Sequence, residues 1–363
     1  MVKPSLYCPF PLEIHPQLER IRARTNEWLT RWGICVDDAH LQRLLRLDTG
    51  FLAGAGMPRG DEGRVQIVSD LMLWETAIDD LFDETALGKD PSECAVVAAK
   101  VQRAVEAPKP HVYEEEPLAA ALRDIRTRLE AAGATAVQIA RWLQAMRTYL
   151  FGSVTGVFYR ARMQTCDPST YMTHRLDSIG TLPITSLMDF AEGFHLSAAE
   201  WGEPAVRALT ELTILLTGIQ DDIIDASGNR LRDTDEVVSG FGDLNIVDLI
   251  ARERDLSHER GLAQAIALHD ALISRMAALG DAVARQGSPE LIAYVRTQRS
   301  YVRSCFEWYH RIDRYGVRAD SAPVAPTPSH GFDPLSIPSI ACLWDLYECE
   351  SNDATTAGAT DAC

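Results

Sequence analysis

Residues 71–84 read LMLWETAIDDLFDE, an apolar helical run that ends in a cluster of acidic side chains. A second stretch, residues 212–229, is built in the same way and reads LTILLTGIQDDIIDASGN. Helices as apolar as these are normally buried, and buried helices avoid adjacent carboxylates unless something offsets the charge. Divalent cations are the usual compensation. Ligand sets made only of oxygen atoms suit Mg²⁺, which often shares its coordination shell with a substrate phosphate.

The spacing within each stretch favours a metal site. Asp79 and Asp83 are four residues apart and therefore lie on one face of a helix. Asp221, Asp225 and Asn229 form a second row, which drifts by only about 40° per step along an α-helix. Two such rows facing each other across a cavity could hold metal ions with a diphosphate between them. The alternative is that each row is a solvated acidic stripe, which is common in a chain with 24% charged residues.

The composition narrows the class of protein. With 363 residues, 46% of them apolar, the chain can bury a substantial core as one large domain or two small ones. A net charge of −17 argues against nucleic acid as a partner, and an acidic protein that binds an anionic substrate needs bound cations. No apolar run is long enough to span a membrane, and no signal-peptide pattern opens the chain. The cysteines are scattered without a Cys-x-x-Cys pair, so we expect reduced thiols in a cytoplasmic protein.

Nearly every long segment has the apolar period of a helix, and no strand-rich region, glycine-rich phosphate loop or internal repeat occurs. We therefore predict an all-α fold. The clearest helices are predicted at residues 15–33, 37–53, 63–87, 115–131, 136–164, 203–227, 258–285 and 289–315. Breaks are predicted at clusters of glycine or proline, at residues 54–58, 107–110, 132–133, 167–168 and 286–289.

One helical domain is predicted over residues 1–317, and residues 1–14 are expected to be extended and to pack across the helices. Residues 318–363 are rich in Pro, Ser, Thr, Ala and Asp, which predicts a tail that is at least partly disordered. One apolar island in this tail, residues 340–344, is expected to dock onto the helical body.

Fixed positive charge is expected near the acidic rows, because negative charge builds on a diphosphate leaving group as its C–O bond breaks. Arg175 lies just before a predicted helix break at residues 178–180. Near the end of the last predicted helix, Arg314 and Tyr315 follow Trp308. An arginine beside a phenol hydroxyl can bind diphosphate oxygens through directed hydrogen bonds, although most helical arginines are surface residues.

In this order and spacing, the motifs resemble those of bacterial class I terpene synthases, or terpene cyclases. The resemblance covers roughly residues 6–316. It also rests on the opening Tyr7-Cys8-Pro9-Phe10-Pro11 and on the Asn245-Ile246-Val247 that follows the second acidic motif. It implies a single α-helical bundle around a deep apolar cavity, with three Mg²⁺ ions (Mn²⁺ being the alternative) and the diphosphate at its mouth.

The metal ligands that the resemblance implies are Asp79, Asp80, Asp83, Asp221, Asp225 and Asn229. Asp79 would bridge two metal ions, and Asp80 and Asp83 would either support it or bind a metal ion themselves. The other three residues fall where the family places Asn, Ser and Glu, so this chain has two charged ligands and one neutral ligand where the family has the reverse. All three are still oxygen donors at the same helical positions. We therefore expect Mg²⁺ to bind, with an altered affinity or metal preference.

The resemblance also assigns the diphosphate contacts. Arg175 matches the residue that senses the diphosphate, and Gly180 matches the helix-break glycine whose carbonyl faces the substrate. Arg314 and Tyr315 match a C-terminal diphosphate-binding pair, and Trp308 matches an aromatic residue that lines the pocket.

The implied reaction starts with a linear isoprenyl diphosphate, which loses diphosphate to give an allylic cation. The cation cyclises in the cavity until it loses a proton or captures water. Small or aliphatic residues just before the first motif, at positions 76–78, slightly favour the C20 geranylgeranyl over the C15 farnesyl substrate. A homodimer is left open. Aromatic candidates for stabilising the cation are Trp74, Phe82, Phe151, Phe158, Phe190 and Trp308, of which all but the last are more simply explained as ordinary core residues.

The main alternative is a chain-elongating isoprenyl diphosphate synthase, because Asp221-Asp222-x-x-Asp225 matches the second aspartate-rich motif of that class. Against it, no Arg-Arg pair follows the first motif, no basic Gly-Lys-Arg-type segment occurs near the N-terminus, and Arg314-Tyr315 would have no role.

Two further alternatives are more remote. Glu307-x-x-His310 suggests a carboxylate-bridged di-metal bundle, but that architecture needs two such motifs, and the chain has only a partial second copy at Asp255-x-x-His258. The unusual second acidic motif also leaves open a non-catalytic relative that binds isoprenoids.

Overall fold

The computed structural model describes residues 4–107, 112–162, 165–228, 244–312, 314 and 319–345. In this part of the chain nearly all regular structure is helical, which confirms the predicted all-α fold. The helices are α1 (Leu18–Trp32), α2 (Asp38–Leu45), α3 (Thr49–Gly56), α4 (Glu62–Glu84), α5 (Pro91–Glu106), α6 (Pro117–Ala131), α7 (Ala136–Ala161), α8 (Pro168–Ser178), α9 (Thr181–Thr185), α10 (Met188–Glu192), α11 (Ala198–Gly202), α12 (Pro204–Gly228), α13 (Ile246–Glu253), α14 (His258–Gln286) and α15 (Pro289–Arg311). Residues Ala86–Lys89 and Pro334–Ser336 form 3₁₀ turns, and residues 338–345 are helical.

Helix starts follow capping residues that the sequence supplies. Asp90, Asp167 and Ser288 each precede a proline, and their side chains accept hydrogen bonds from the first backbone N–H groups of α5, α8 and α15. A capping box between Thr135 and Gln138 begins α7. Two of the predicted breaks are therefore helix starts with a built-in cap.

The single helix predicted over residues 37–53 is wrong, because the structure divides this region into α2 and α3. Asp48 adopts a φ of 53°, and its side chain accepts a hydrogen bond from the N–H of Phe51 at the start of α3. Helix α3 then continues to Gly56, through the predicted break. A Cβ on Gly56 would lie 2.8 Å from the ring of Tyr301, so this glycine lets α3 approach α15 closely.

Two apolar cores share α15. One side of this helix, with Tyr301 and Trp308, packs into a first core to which α1–α7, α9 and α10 also contribute. Its other side, with Val302 and Phe306, packs into a second core formed by α12–α14 and the N-terminal segment. None of the described helices is both long and apolar enough to cross a membrane.

The described part of the N-terminal segment packs against α14. Strand β1 (Leu6–Tyr7) pairs in parallel with β2 (Val324–Ala325). Asp270, which is fully buried on α14, accepts hydrogen bonds from the backbone N–H of Tyr7 at 3.2 Å and of Ser329 at 2.7 Å. One carboxylate therefore ties both ends of the described chain to α14.

The apolar island lies against the second core. Ile340 and Leu343 are 1% and 2% exposed, and Nε of Arg275 donates a 2.7 Å hydrogen bond to the carbonyl of Leu343. Residues 346–363 lie outside the described part of the chain. The domain boundary at residue 317 and the disorder of the tail stay predictions.

We expect Asp270→Ala to lower the free energy of unfolding by about 2–4 kcal/mol, because two backbone donors and the buried His269 would lose a charged acceptor. Urea denaturation followed by circular dichroism measures this loss. Asp281→Ala is the control, because Asp281 is 62% exposed and its ion pair with Arg299 should contribute less than about 1 kcal/mol. A loss for Asp270→Ala no larger than that of the control would contradict the anchoring role.

Candidate active site

A cavity of about 500 Å³ lies between α4, α8, α12 and α15. Its wall includes the last turns of α4, the C-terminal half of α12, the break between α8 and α9, and one side of α15. The acidic residues in this wall are Glu75, Asp79, Asp80, Asp83, Glu84, Asp221, Asp222 and Asp225. The fold therefore brings the described members of both predicted acidic rows to one cavity.

Asp79 faces this cavity from α4. Its carboxyl makes no hydrogen bond or ion pair within the described part of the chain. Burial raises the pKa of Asp79 to about 6, although the positive charges of Arg314 and Arg160 act in the opposite direction. A bound cation would remove this cost, so Asp79 suits a metal ligand.

Asp80, the next residue, is held by Arg314 and His40. Nη1 of Arg314 donates to it at 2.9 Å, and Nε2 of His40 lies 3.2 Å from its other oxygen. Burial would raise the pKa of Asp80, but the contact with His40 and the charge of Arg314 outweigh it and lower the pKa. In this arrangement Asp80 supports its neighbours and orients Arg314.

Asp83 forms an ion pair with Arg160 of α7. Burial raises the pKa of Asp83 well above its usual value, and the nearby Asp79 raises it further against the charge of Arg160. The three carboxylates of the first motif therefore occupy three different environments.

The second acidic row lies on α12. Asp221 and Asp225 line the cavity, and Asn229 lies outside the described residues. Asp222 accepts hydrogen bonds from the hydroxyl of Tyr171 at 2.7 Å and from the N–H of Ile246 at 3.1 Å. It thereby joins α12 to α8 and α13. Burial raises the pKa of Asp222 to about 6 despite a neighbouring arginine.

That arginine is Arg175, near the C-terminal end of α8. It is buried, and its Nη2 lies 2.6 Å from Asp221 and 2.9 Å from Asp222. Burial alone would lower the pKa of Arg175, but Tyr171 and the two aspartates raise it well above its usual value. Arg175 therefore stays charged at the wall of the cavity.

The helix break lies where the sequence predicts it. Helix α8 ends at Ser178, α9 begins at Thr181, and Gly180 between them has a φ of 78°. A Cβ on Gly180 would lie only 3.2 Å from Oε2 of Glu75. Both the backbone conformation and the space require glycine here.

Of the three predicted C-terminal site residues, Trp308 and Arg314 are described by the structure. Trp308 lines the cavity, and its ring N–H donates to the carbonyl of Leu47 at 2.5 Å. Arg314 also lines the cavity, but it follows the end of α15 at Arg311 and does not lie on the predicted longer helix. Tyr315 lies outside the described residues.

The aromatic lining differs from most of the sequence candidates. Trp308 lines the cavity, whereas Trp74, Phe82 and Phe190 are buried in the first core. Phe151 and Phe158 lie on the surface, 66% and 39% exposed. The described tyrosines in the wall, which the sequence analysis missed, are Tyr149, Tyr301 and Tyr309.

The sequence motifs also did not predict that His40, Arg160 and Glu75 belong to the site or contact its carboxylates. For Glu75 a signal was present, because Glu75, Asp79 and Asp83 form a row at four-residue spacing. This row has the same spacing as the one at residues 221, 225 and 229. Extending the first row by one turn would have placed a further carboxyl in the cavity.

Within the described residues, no three acidic, histidine or cysteine side chains converge closely enough to hold a metal ion as they stand. Ion pairs with arginines position several of the carboxylates instead. The cavity thus contains oxygen donors for cations and guanidinium groups for an anion, which is the combination that a metal–diphosphate complex needs.

The di-metal alternative finds no support at Glu307-x-x-His310. Both carboxylate oxygens of Glu307 accept hydrogen bonds from arginines, Arg303 at 3.0 Å and Arg311 at 2.9 Å. Nδ1 of His310 contacts the carbonyl of Phe306 at 2.8 Å. These hydrogen bonds link successive turns of α15.

Comparison with known proteins agrees with this geometry. The family described as "Terpene synthase family 2, C-terminal metal binding" matches residues 70–275, which is more than half of the chain. The chain belongs to the bacterial class I terpene synthases. The matched range contains both acidic motifs, Arg175 and the helix break.

Individual terpene synthases resemble this chain over most of its length. A germacradien-6-ol synthase of Streptomyces pratensis is 31% identical over 353 residues, 95% of this chain and 97% of that protein. A 4-epi-cubebol synthase of Streptosporangium roseum, described as cyclising farnesyl diphosphate, is 26% identical over 86% of this chain and 92% of its own length. The solved structure of the SVS_A2 protein, from ancestral sequence reconstruction, is 28% identical over 95% of this chain and 99% of that one, with a TM-score of 0.79.

The enzyme is therefore a terpene cyclase, as the sequence resemblance implies. The metal-binding description of its family indicates that it uses a divalent metal.

We expect Gly180→Ala to reduce both stability and activity of this terpene synthase. An alanine at a φ of 78° costs about 1–2 kcal/mol. Its Cβ would also press on the carboxyl of Glu75, and we expect diphosphate release to fall at least about tenfold because the break would shift. Thermal unfolding and a diphosphate-release assay measure the two effects. Gly202→Ala is the control, since nothing lies within 4 Å of its Cβ position. Equal behaviour of the two variants would show that the break tolerates a side chain.

Proposed function

We propose that the protein is a Mg²⁺-dependent terpene cyclase that ionises geranylgeranyl diphosphate in preference to farnesyl diphosphate and cyclises the resulting cation. One observation carries the proposal: acidic rows on α4 and α12 share a single cavity with Arg175 and Arg314. The rows supply oxygen donors for metal ions, and the arginines supply fixed positive charge for a diphosphate.

We assign the metal ligands to the acidic rows. The first row would contribute Asp79 with support from Asp80 and Asp83. The second would contribute Asp221 and Asp225, with Asn229 completing it by sequence position. The carboxyl of Asp79, which is unpaired within the described residues, fits this role, since a bound cation would stabilise its charged form. Mg²⁺ suits a set made only of oxygen ligands, and three ions are proposed from the family resemblance. When bound, they neutralise the charge that develops on the leaving diphosphate.

Arg175 and Arg314 are proposed to bind the diphosphate, with Tyr315 next to the second of them. In this structure both arginines contact carboxylates that belong to the proposed metal motifs, Arg175 with Asp221 and Arg314 with Asp80. A diphosphate that enters with its cations would offer both groups new partners of opposite charge. This exchange of partners supports the proposed role of both arginines.

The cavity wall is proposed to control the cation. Trp308 and Tyr309 on α15 and Tyr149 on α7 present aromatic rings to the cavity, and such rings stabilise cations through their faces. A closed cavity also keeps water away from the cation until a proton is lost or one water is captured.

The preference for a C20 substrate rests on the wall of α4. Trp74, the bulky residue of the turn before the motif, points away into the first core, where its ring N–H donates to the carbonyl of Leu118. The wall at this level consists instead of Met72, Glu75 and Thr76. Because none of these three residues is aromatic, the cavity has room at this level for a longer isoprenyl chain.

Incubation with C10, C15, C20 and C25 diphosphates and Mg²⁺ tests the function, with products read by gas chromatography and released diphosphate by a coupled assay. We expect cyclic product to form fastest from the C20 substrate. Asp79→Ala should abolish turnover and leave the helical circular dichroism unchanged, because a ligand is lost from a metal-dependent site.

The exposed Asp281→Ala serves as the matched aspartate control and should behave like the parent. Release of no diphosphate from any substrate would contradict the proposed function. Activity of Asp79→Ala within a few-fold of the parent would contradict the assigned site.

The unusual second motif gives a separate test. The triple variant Asp221→Asn, Asp225→Ser, Asn229→Glu conserves oxygen donors and lowers the negative charge of the row. We expect it to retain activity with a shifted Mg²⁺ requirement. Asp225→Ala deletes a ligand outright and should need much more Mg²⁺, on the order of tenfold or more.

Rates measured against Mg²⁺ concentration compare the two variants with the parent. If Asp225→Ala gave the parent's metal curve, the row on α12 would be only an acidic stripe at the cavity wall.

A further inference from the structure

Glu75 is a buried carboxyl group inside the cavity that the metal and diphosphate roles do not use. It lies on α4 one turn before Asp79 and lines the same cavity. The residue is only 7% exposed. A hydrocarbon substrate would have to pack beside it.

The carboxyl of Glu75 has no polar partner in the described part of the chain. Its Oε1 is buried without a hydrogen bond, and no ion pair involves this residue. By contrast, Asp80, Asp83 and Asp222 each contact an arginine. A residue kept only for packing or for a structural hydrogen bond would have a partner or would be apolar, because an unsatisfied buried carboxyl is costly.

The surroundings favour the protonated form of this carboxyl. Burial raises the pKa of Glu75 well above its usual value, and the negative charge of Asp79 raises it further. Both effects favour the neutral carboxylic acid, which can donate a proton and, unlike a carboxylate, does not attack a cation.

The position of this acid is well defined. Its Oε2 lies 3.2 Å from the point that a Cβ on Gly180 would occupy, so it packs directly against the helix break. The hydroxyl of Tyr149 donates a 2.9 Å hydrogen bond to the backbone carbonyl of Glu75 and fixes this turn of α4. The acid is thus held by rigid elements at the wall where the cyclising chain lies.

We propose that Glu75 is a catalytic acid and base of the cyclisation, which protonates a neutral cyclic alkene and later removes a proton from the final cation. This inference rests on the proposed function. The first cyclic cation loses a proton to the released diphosphate and becomes a neutral alkene.

The carboxylic acid of Glu75 then gives its proton to one carbon of a C=C bond. The electron pair of that double bond forms the new C–H bond, which leaves a cation on the other carbon and a carboxylate on Glu75. After further ring closure, the carboxylate takes a proton next to the cationic carbon and the C–H electrons form the product double bond. Glu75 is protonated again, and no oxidant or reductant is needed.

Turnover in D₂O tests this step. The acid of Glu75 exchanges with solvent while the cavity is open, so the wild-type product should carry one carbon-bound deuterium by gas chromatography and mass spectrometry. In Glu75→Gln the donor is absent. Its product should be the unprotonated alkene without deuterium, while diphosphate release stays within about tenfold of wild type, because no metal or diphosphate contact is lost.

Glu211→Gln is the matched control, because Glu211 is a partly buried glutamate outside the cavity wall. It should give the wild-type product with its deuterium. A wild-type product without carbon-bound deuterium overturns the proposal whether or not the variant folds, and so does a Glu75→Gln product that still contains it. Failure of the wild type to release diphosphate at all would instead overturn the proposed function.

Discussion

Repulsion between carboxylates in one poorly solvated cavity governs how this site is put together. Three arginines form ion pairs with acidic residues of the cavity wall, each from a different element: Arg160 from α7, Arg175 from α8, and Arg314 from the segment after α15. Their ion pairs join α7 to α4, α8 to α12, and the segment after α15 to α4. Because opposite charges attract strongly where water is scarce, any metal ion competes with these arginines and any anion competes with the carboxylates. Ligand binding and helix position are therefore coupled through the same set of charges.

Much of the fold could be predicted from apolar periodicity and caps. The long helices α1, α4, α6, α7, α12, α14 and α15 lie close to their predicted positions. Helices α5 and α13 were not predicted, and α2 and α3 were predicted as one helix. Glycines within α3 looked like breaks, although they serve close packing against neighbouring helices. A single sequence does not show which helix packs against α3, so it does not distinguish a glycine that ends a helix from one that allows close packing.

Site residues could be predicted where several of them recur at helical spacing within one helix. They could not be predicted where their role depends on which side of a helix faces the cavity. The acidic rows and Arg175 meet at one cavity because short spacings on a helix fix their relative positions. The aromatic wall could not be predicted in this way. Phe151 and Tyr149 are two residues apart on α7, yet one is exposed and the other lines the cavity. The assigned ligand roles, the cytoplasmic location and a homodimer remain predictions.

The parallel pair of β1 and β2 has a consequence for the order in which the chain can fold. Leu6 pairs with Val324, so the two partners are separated by nearly the whole described sequence. During synthesis the apolar side chains of Leu6, Cys8 and Phe10 emerge well before α14 and the segment that completes their pocket. Contacts this distant in sequence form late and leave apolar surface uncovered in the meantime. Residues 6–10 are therefore among the last of the described residues to reach their final place, and a ribosome-bound chain must keep them from other partners until then.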